Sequence, residues 1–328
     1  MDPLTNRRAL GHSELQVSPL GLGCWQFSKG SGMVGKYWPT LSDDEILTII
    51  NMSVDGGMNW FDTAEVYGHG QSEQALARSL DALTLQGNAM NDLLIATKWW
   101  PLLRTARSIT RTIGQRIDAL GGRSIDLYQI HQPFSLSSIA QQMKAMADLV
   151  KQGKIRYIGV SNFSAKQMRL ADQELQKYGL RLTSNQVKYS LLDRRIESNG
   201  VLATAQELGI SIIAYSPLEQ GLLTGKFHYK PELVATSSGM RKYLATYRTS
   251  GLARSRPLID LLQSLADQYQ RTPSQIALNW TIHYHGDTIV AIPGASKLSH
   301  ASDNVGAMQF KLSHEEMELI SAQSLAVL

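Results

Sequence analysis

Short apolar runs alternate along the chain with longer segments whose apolar positions recur at helical spacing. Residues 18–25, 58–62, 93–98, 125–131, 155–161, 183–187, 210–215 and 288–292 have the length and the β-branched and aromatic content of buried strands. Between them, 43–55, 72–83, 105–120, 136–151, 165–178 and 199–208 read as amphipathic helices. Further helices are predicted at 258–270, after Thr272, at 300–307 and at 313–325. The helical segments stop at glycines: Gly56-Gly57, Gly121-Gly122, Gly153, Gly179 and Gly209. Ser42 with Glu45 spells a capping box. Thr272-Pro273-Ser274-Gln275 supplies a cap, an N1 proline and an N3 glutamine. Ser72 is expected to cap the helix at 72–83. Two short strand-like pieces around Gly11-His12-Ser13 predict an N-terminal hairpin.

Eight strand–helix alternations without a linker predict one (β/α)8 TIM barrel spanning 1–328, with an N-terminal hairpin and extra C-terminal helices. A doubly wound sheet would want G-x-G-x-x-G after a strand, and Gly21-Leu22-Gly23 lacks the third glycine. The polar stretch 216–257 is too long for an ordinary connection and is expected to be a functional loop.

Composition changes this picture little. Apolar residues make up 43% and charged residues 18% of the 328, enough for a packed core. The single cysteine, Cys24, excludes an intrachain disulfide and reads as a buried, inert thiol. No apolar leader and no apolar run of about 20 residues is present, so a soluble cytoplasmic protein is expected, without a membrane partner. The net charge of +4 is mild. Arg104, Arg107, Arg111 and Arg116 fall mostly on one helical face, read as a solvated outer face rather than a nucleic-acid or membrane site.

The chemistry concentrates at strand ends. Asp62 closes the second barrel strand, Tyr67 lies on the loop beyond it, Lys98 closes the third and His131 the fourth. Singly, these residues read as a cap, a packing ring, a solvated charge and a structural imidazole. Together at the C-terminal mouth of a barrel they form a general acid set. A lysine ammonium beside a tyrosine lowers the phenol's pKa from ~10. Asp62 would hold the lysine, and His131 would donate to a carbonyl oxygen. No metal-ligand spacing is visible, so a hydride must come from an organic cofactor.

The stretch Phe61-Asp62-Thr63-Ala64-Glu65-Val66-Tyr67-Gly68, followed in order by Lys98 and His131, resembles the F-D-T-A-x-x-Y-G motif and catalytic set of the aldo-keto reductase family. The resemblance implies a hairpin closing the barrel floor and an NADP(H)-dependent reductase of aldehydes or ketones. It places Ser161, Asn162 and Gln186 on the nicotinamide carboxamide and Tyr215 on the nicotinamide ring. Trp25 and Asp62 also fall at the cofactor. Ser216, Pro217, Leu218, Gly221, Leu223 and Lys226 match the pyrophosphate loop. Gly294, Ser296, Lys297, His300 and Asn304 match the adenosine-phosphate segment. Trp25, Tyr37, Trp38, Val66, Trp99 and Trp100 would line the substrate pocket. Many members carry Arg where this chain has Ser302, so NAD(H) is the alternative cofactor. The alternative function is a cofactor-binding regulatory subunit resembling potassium-channel β subunits, although that branch generally carries Asn at the position of His131. A sugar-phosphate barrel enzyme is a third reading. Oligomeric state is not legible.

Overall fold

The computed structural model describes residues 7–32, 38–86, 92–235 and 244–328. An antiparallel hairpin, β1 (Arg8–Ala9) and β2 (Gln16–Val17), precedes eight parallel strands. These are β3 (Leu22–Gly23), β4 (Trp60–Asp62), β5 (Leu94–Trp99), β6 (Ile125–Ile130), β7 (Ile155–Ser161), β8 (Ser184–Lys188), β9 (Ser211–Tyr215) and β10 (Ile289–Ala291). Each pairs with its neighbour in chain order. Bridges Leu20↔Ala291 and Gly23↔Gly294 join the first strand to the last, with Ala291 N donating to Pro19 O at 3.0 Å. The sheet therefore closes on itself, as the alternation predicts.

Residues alternate between the two faces of each strand. Phe61, Tyr128 and Ile130 point out to the helices and join the large outer core. Trp60, Ala96, Leu127, Ile213 and Val290 point inward and pack with Leu10, Leu15 and Val17 around the hairpin. The hairpin thus closes the floor. Gly21 is required by this floor rather than by a ligand: a Cβ there would lie 2.3 Å from the Trp60 indole. One inward layer higher, the apolar residues give way to Asp62, Lys98, Gln129 and Gln186. That change of polarity marks where the floor ends and the mouth begins.

The elements follow the predicted order with shifted edges. The helix Asp43–Asp55 carries the Ser42–Glu45 box, and Pro273–His283 carries the Thr272–Gln275 box. Ser138, Ser164 and Ser313 cap three more helices in the same way. Ser72 is not a cap. The helix Gln71–Leu85 starts one residue earlier, behind Gly70. Ser72 Oγ instead donates to Cys24 O at 2.7 Å and accepts from Thr63 Oγ1 at 2.9 Å, tying that helix to the first two barrel strands. The predicted polar loop after β9 holds short helical turns, Glu219–Thr224, Lys226–Tyr229 and Pro231–Val234. It also holds the start of the helix Thr249–Tyr269, which runs through Pro257. No helix among the described residues is long and apolar enough to cross a membrane.

Candidate active site

Asp62 ends β4 on the inward face, where its carboxylate meets three side chains. Lys98 Nζ donates to Oδ1, while Gln129 Nε2 (2.9 Å) and Gln186 Nε2 (2.8 Å) both donate to Oδ2. Lys98 Nζ also donates to Thr63 O at 2.9 Å. Lys98 is 0% and Asp62 1% exposed, so the pair is withdrawn from water and fully hydrogen-bonded. Burial pulls the Lys98 ammonium down, but Asp62 and then Tyr67 outweigh it, and its pKa stays above the ordinary lysine value.

Past the strand the chain turns, with Tyr67 N bonding Ala64 O at 3.0 Å. Gly68 has φ +65°, and a Cβ there would meet Ser28 O at 2.3 Å, so only glycine lets the loop lie this close. Tyr67 OH then comes 3.5 Å from Lys98 Nζ. The expected lowering of the phenol's pKa is not the net result. Burial raises it above the usual tyrosine value, and Lys98 only offsets part of that rise. The tyrosine is a protonated phenol at neutral pH.

His131 sits just beyond β6 with its ring 5.7 Å from that of Tyr67, edge to face. Burial first and Lys98 second push its pKa well below the ordinary histidine value, so the imidazole is neutral. Its Nδ1 is buried without a protein partner. Trp100 packs on His131 at 5.1 Å and on Phe134 at 5.9 Å. Trp25 stacks on Tyr67 at 6.0 Å and meets Trp38 at 5.7 Å. Trp25 and, through it, Trp38 thus lie on the Tyr67 side, Trp100 lies on the His131 side, and Val66 is half-buried. Tyr37 lies outside the described residues. Trp99 does not join them. With Lys98 pointing inward, its neighbour points outward, and Trp99 is fully buried with Nε1 donating to Ser108 Oγ at 3.0 Å. Phe134 and Gln129 were not read from the sequence. Gln129 had a signal, since it lies two residues before His131 on the same strand face; Phe134, on a loop, had none.

The residues matched to a cofactor lie at the ends of β7 to β10. Tyr215 OH donates to Asn162 Oδ1 at 3.1 Å, and Asn162 Nδ2 donates to Ser161 Oγ at 3.1 Å. Gln186 is shared with Asp62. After β9, Ser216, Glu219, Gln220 and Gly221 all have positive φ, a strained run of the kind found at ligand sites. Glu219 anchors it: Lys188 Nζ lies 2.9 Å from Oε2, and Ser190 Oγ donates to Oε1 at 2.9 Å. Leu218 is half-buried within this run and Pro217 is buried. Leu223 is a correction, because it is fully buried in the outer core and its N–H is used by Leu218 O. Gly294 makes room for Gln26, whose Oε1 would lie 2.2 Å from a Cβ there.

Ser296 N and Oγ lie 3.4 and 3.3 Å from His300 Nδ1. Burial first, then the charges of Lys226 and Lys297, depress the His300 pKa below the ordinary histidine value. Asn304 is 1% exposed and its Nδ2 has no partner. A buried unsatisfied amide four residues after His300 on the same helix fits a hydrogen-bonding ligand at this helix. Among the described residues no group of His, Cys, Asp and Glu could hold a metal ion.

Asp62, Lys98, Tyr67 and His131 thus gather at one mouth of a closed barrel. The aldo/keto reductase family model matches residues 19–324, and the chain belongs to that family of carbonyl-acting, nicotinamide-dependent oxidoreductases. A probable aldo-keto reductase of Glycine max is 30% identical over 95% of this chain and 86% of its own length. A thermostable aldo-keto reductase solved with the inhibitor epalrestat superposes with a TM-score of 0.75 at 29% identity, over 97% of this chain and 99% of that one. A glycerol dehydrogenase from Gluconobacter oxydans gives 0.81 at 25% identity, over 98% and 95%.

Proposed function

We propose that this chain reduces an aldehyde or ketone to an alcohol with NADPH, Tyr67 giving its phenolic proton to the carbonyl oxygen. The observation that carries the reading is the Tyr67 hydroxyl held 3.5 Å from the Nζ of a buried lysine whose charge is fixed by Asp62. Negative charge grows on a carbonyl oxygen as its carbon is reduced. Lys98 stabilises the phenolate left on Tyr67, and neutral His131 orients the oxygen by donating a hydrogen bond. Asp62 keeps Lys98 in place, with Gln129 and Gln186 holding the second carboxylate oxygen. When bound, the nicotinamide supplies the hydride.

Ser161, Asn162, Gln186 and Tyr215 are the residues to hold its nicotinamide end. The loop of Ser216 to Lys226 would hold the pyrophosphate, and Ser296, Lys297, His300 and Asn304 the adenosine end. The positive charges of Lys226 and Lys297, both felt by His300, favour a phosphorylated ribose over a bare one, although the position of the usual Arg is Ser302. Trp25 and Trp38 on the Tyr67 side and Trp100 on the His131 side favour apolar or aromatic carbonyl substrates.

The test is a panel of aldehydes with NADPH and NADH, followed at the nicotinamide absorbance. NADPH is expected to give the higher kcat/KM. Tyr67→Phe is expected to lose roughly 10²–10⁴-fold in kcat while still binding cofactor. Full activity in Tyr67→Phe would remove the tyrosine from its role, and a kcat/KM ratio at or below one would remove the NADPH preference.

A further inference from the structure

Glu65 lies in the motif between Asp62 and Tyr67, and nothing so far gives it a task. Its surroundings are specific. Strands β4 and β5 pair in parallel up to Asp62↔Ala96. The ladder then continues past the strand end: Thr63 N bonds Ala96 O at 2.9 Å and Glu65 N bonds Lys98 O at 3.3 Å. In a parallel ladder the next rung would run from Trp100 N–H to the backbone carbonyl of residue 65. It runs instead to the Glu65 carboxylate, Oε1. The side chain completes the ladder, which frees the backbone to leave the sheet and carry Tyr67 over the mouth.

The same carboxylate is braced from outside. Arg104 Nη1 donates to Oε1 and also to Trp100 O at 3.1 Å, and Arg116 Nη1 lies 3.7 Å from Oε2. Arg104 Nη2 donates to Thr112 Oγ1 at 3.0 Å. Arg116 continues to Glu73 at 3.0 Å, and Thr97 Oγ1, next to Lys98, donates to Glu73 at 2.7 Å. Arg104 and Arg116 are thus internal struts, not the solvated face expected from the sequence. Only Arg107 and Arg111 of that set are exposed.

We infer that Glu65 is a positioning residue for the proton-donating group: it fixes the backbone on both sides of the acid, Lys98–Trp100 on one and Val66–Tyr67 on the other. Through Trp100 it also sets His131, whose ring lies against both Trp100 and Tyr67. This rests on the reading of Tyr67 as the acid.

The test compares Glu65→Ala and Glu65→Gln with the parent, alone and in the Tyr67→Phe background. The readouts are kcat, KM, NADPH binding by fluorescence titration and melting temperature. Glu65→Ala is expected to lose tenfold or more in kcat with cofactor affinity within about twofold. Glu65→Gln keeps an oxygen for Trp100 N–H and is expected to recover much of that loss. In the Tyr67→Phe background Glu65→Ala is expected to cost little more, because the group being positioned is gone. Should Glu65→Ala fail to fold, Arg104→Lys takes its place, with the same expected fall in kcat at near-constant cofactor affinity. A kcat within twofold of the parent in folded Glu65→Ala, or an undiminished loss in the Tyr67→Phe background, would overturn the inference. An active Tyr67→Phe single variant would instead overturn the reading of the acid.

Discussion

Lys98 is a buried cation whose every contact serves the site. It touches Asp62, Thr63 O and Tyr67 OH and nothing in the water. Lys98→Met strands the Asp62 charge in the barrel with only the two glutamine amides for company. The expected cost is about 3–5 kcal/mol of stability, read by denaturant unfolding, together with loss of most activity. The pH dependence is a separate consequence. In the proposed reaction Tyr67 gives up its phenolic proton, and burial raises its pKa, so carbonyl reduction is expected to hold through neutral pH and fall only above the ordinary tyrosine range. His131 is depressed well below the usual histidine range, so no histidine limb is expected between pH 6 and 8, where an unperturbed imidazole titrates. A pH–kcat/KM profile from pH 5.5 to 10.5 checks both. That Asp62, Tyr67, Lys98 and His131 would gather at one mouth was legible because strand ends and a short motif name them. Trp99 was misplaced for a reason equally legible: on a strand, the neighbour of an inward lysine faces outward. Glu65 had no such signal, since a side chain replacing a ladder carbonyl leaves no periodic trace.

Helix starts were easier to read than helix bodies. Ser42 and Thr272 showed their boxes in the sequence, and Ser138 with Gln141, Ser164 with Gln167 and Ser313 with Glu316 obey the same spacing. Replacing Ser138, Ser164 or Ser313 by Ala is expected to cost ~1 kcal/mol each, measured by urea unfolding, with kcat unchanged. Ser72 looked like a cap too, but a glycine at left-handed φ starts that helix and the hydroxyl is spent on Cys24 O and Thr63. Pro257 truncated the predicted helix, because a proline usually marks a first turn. Here it lies inside a 21-residue helix, Thr249–Tyr269, whose apolar stripe of Leu252, Leu258, Ile259, Leu262 and Leu265 is buried and outweighs the lost bond.

The barrel as a body was written in the alternation of patterns, while its two-layer interior was not. Inward residues change from Trp60, Ala96 and Leu127 to Asp62, Lys98 and Gln129 within one step along three adjacent strands, and only the register aligns them. The network outside that interior makes stability depend on pH. Glu73 is fully buried, and burial raises its pKa from 4.5 to about 7 against the pull of Arg116 and Thr97, with Glu65 adding to the rise and Lys98 opposing it. A raised carboxyl pKa means the folded state holds a proton that the unfolded chain has lost. Its contribution is full below about pH 4.5 and is lost as pH climbs through 7. Glu73→Gln is expected to remove this decline. The difference in unfolding free energy between variant and parent should therefore move in the variant's favour from pH 5 to pH 8, by on the order of 3 kcal/mol at most. Urea melts at both values measure it.

The seam at Leu20 and Ala291 has a consequence for how the chain emerges from the ribosome. Asp62, Tyr67, Lys98 and His131 are all synthesised before β7, yet the sheet stays open until β10 arrives. A nascent chain therefore carries these four side chains long before it has a wall to enclose them. Through that interval β3 and the most recently made strand are bare edges able to pair with another chain. Synthesis that stalls before residue 289 exposes those edges, whereas β10 pairs with β9 and meets the first strand and leaves neither free.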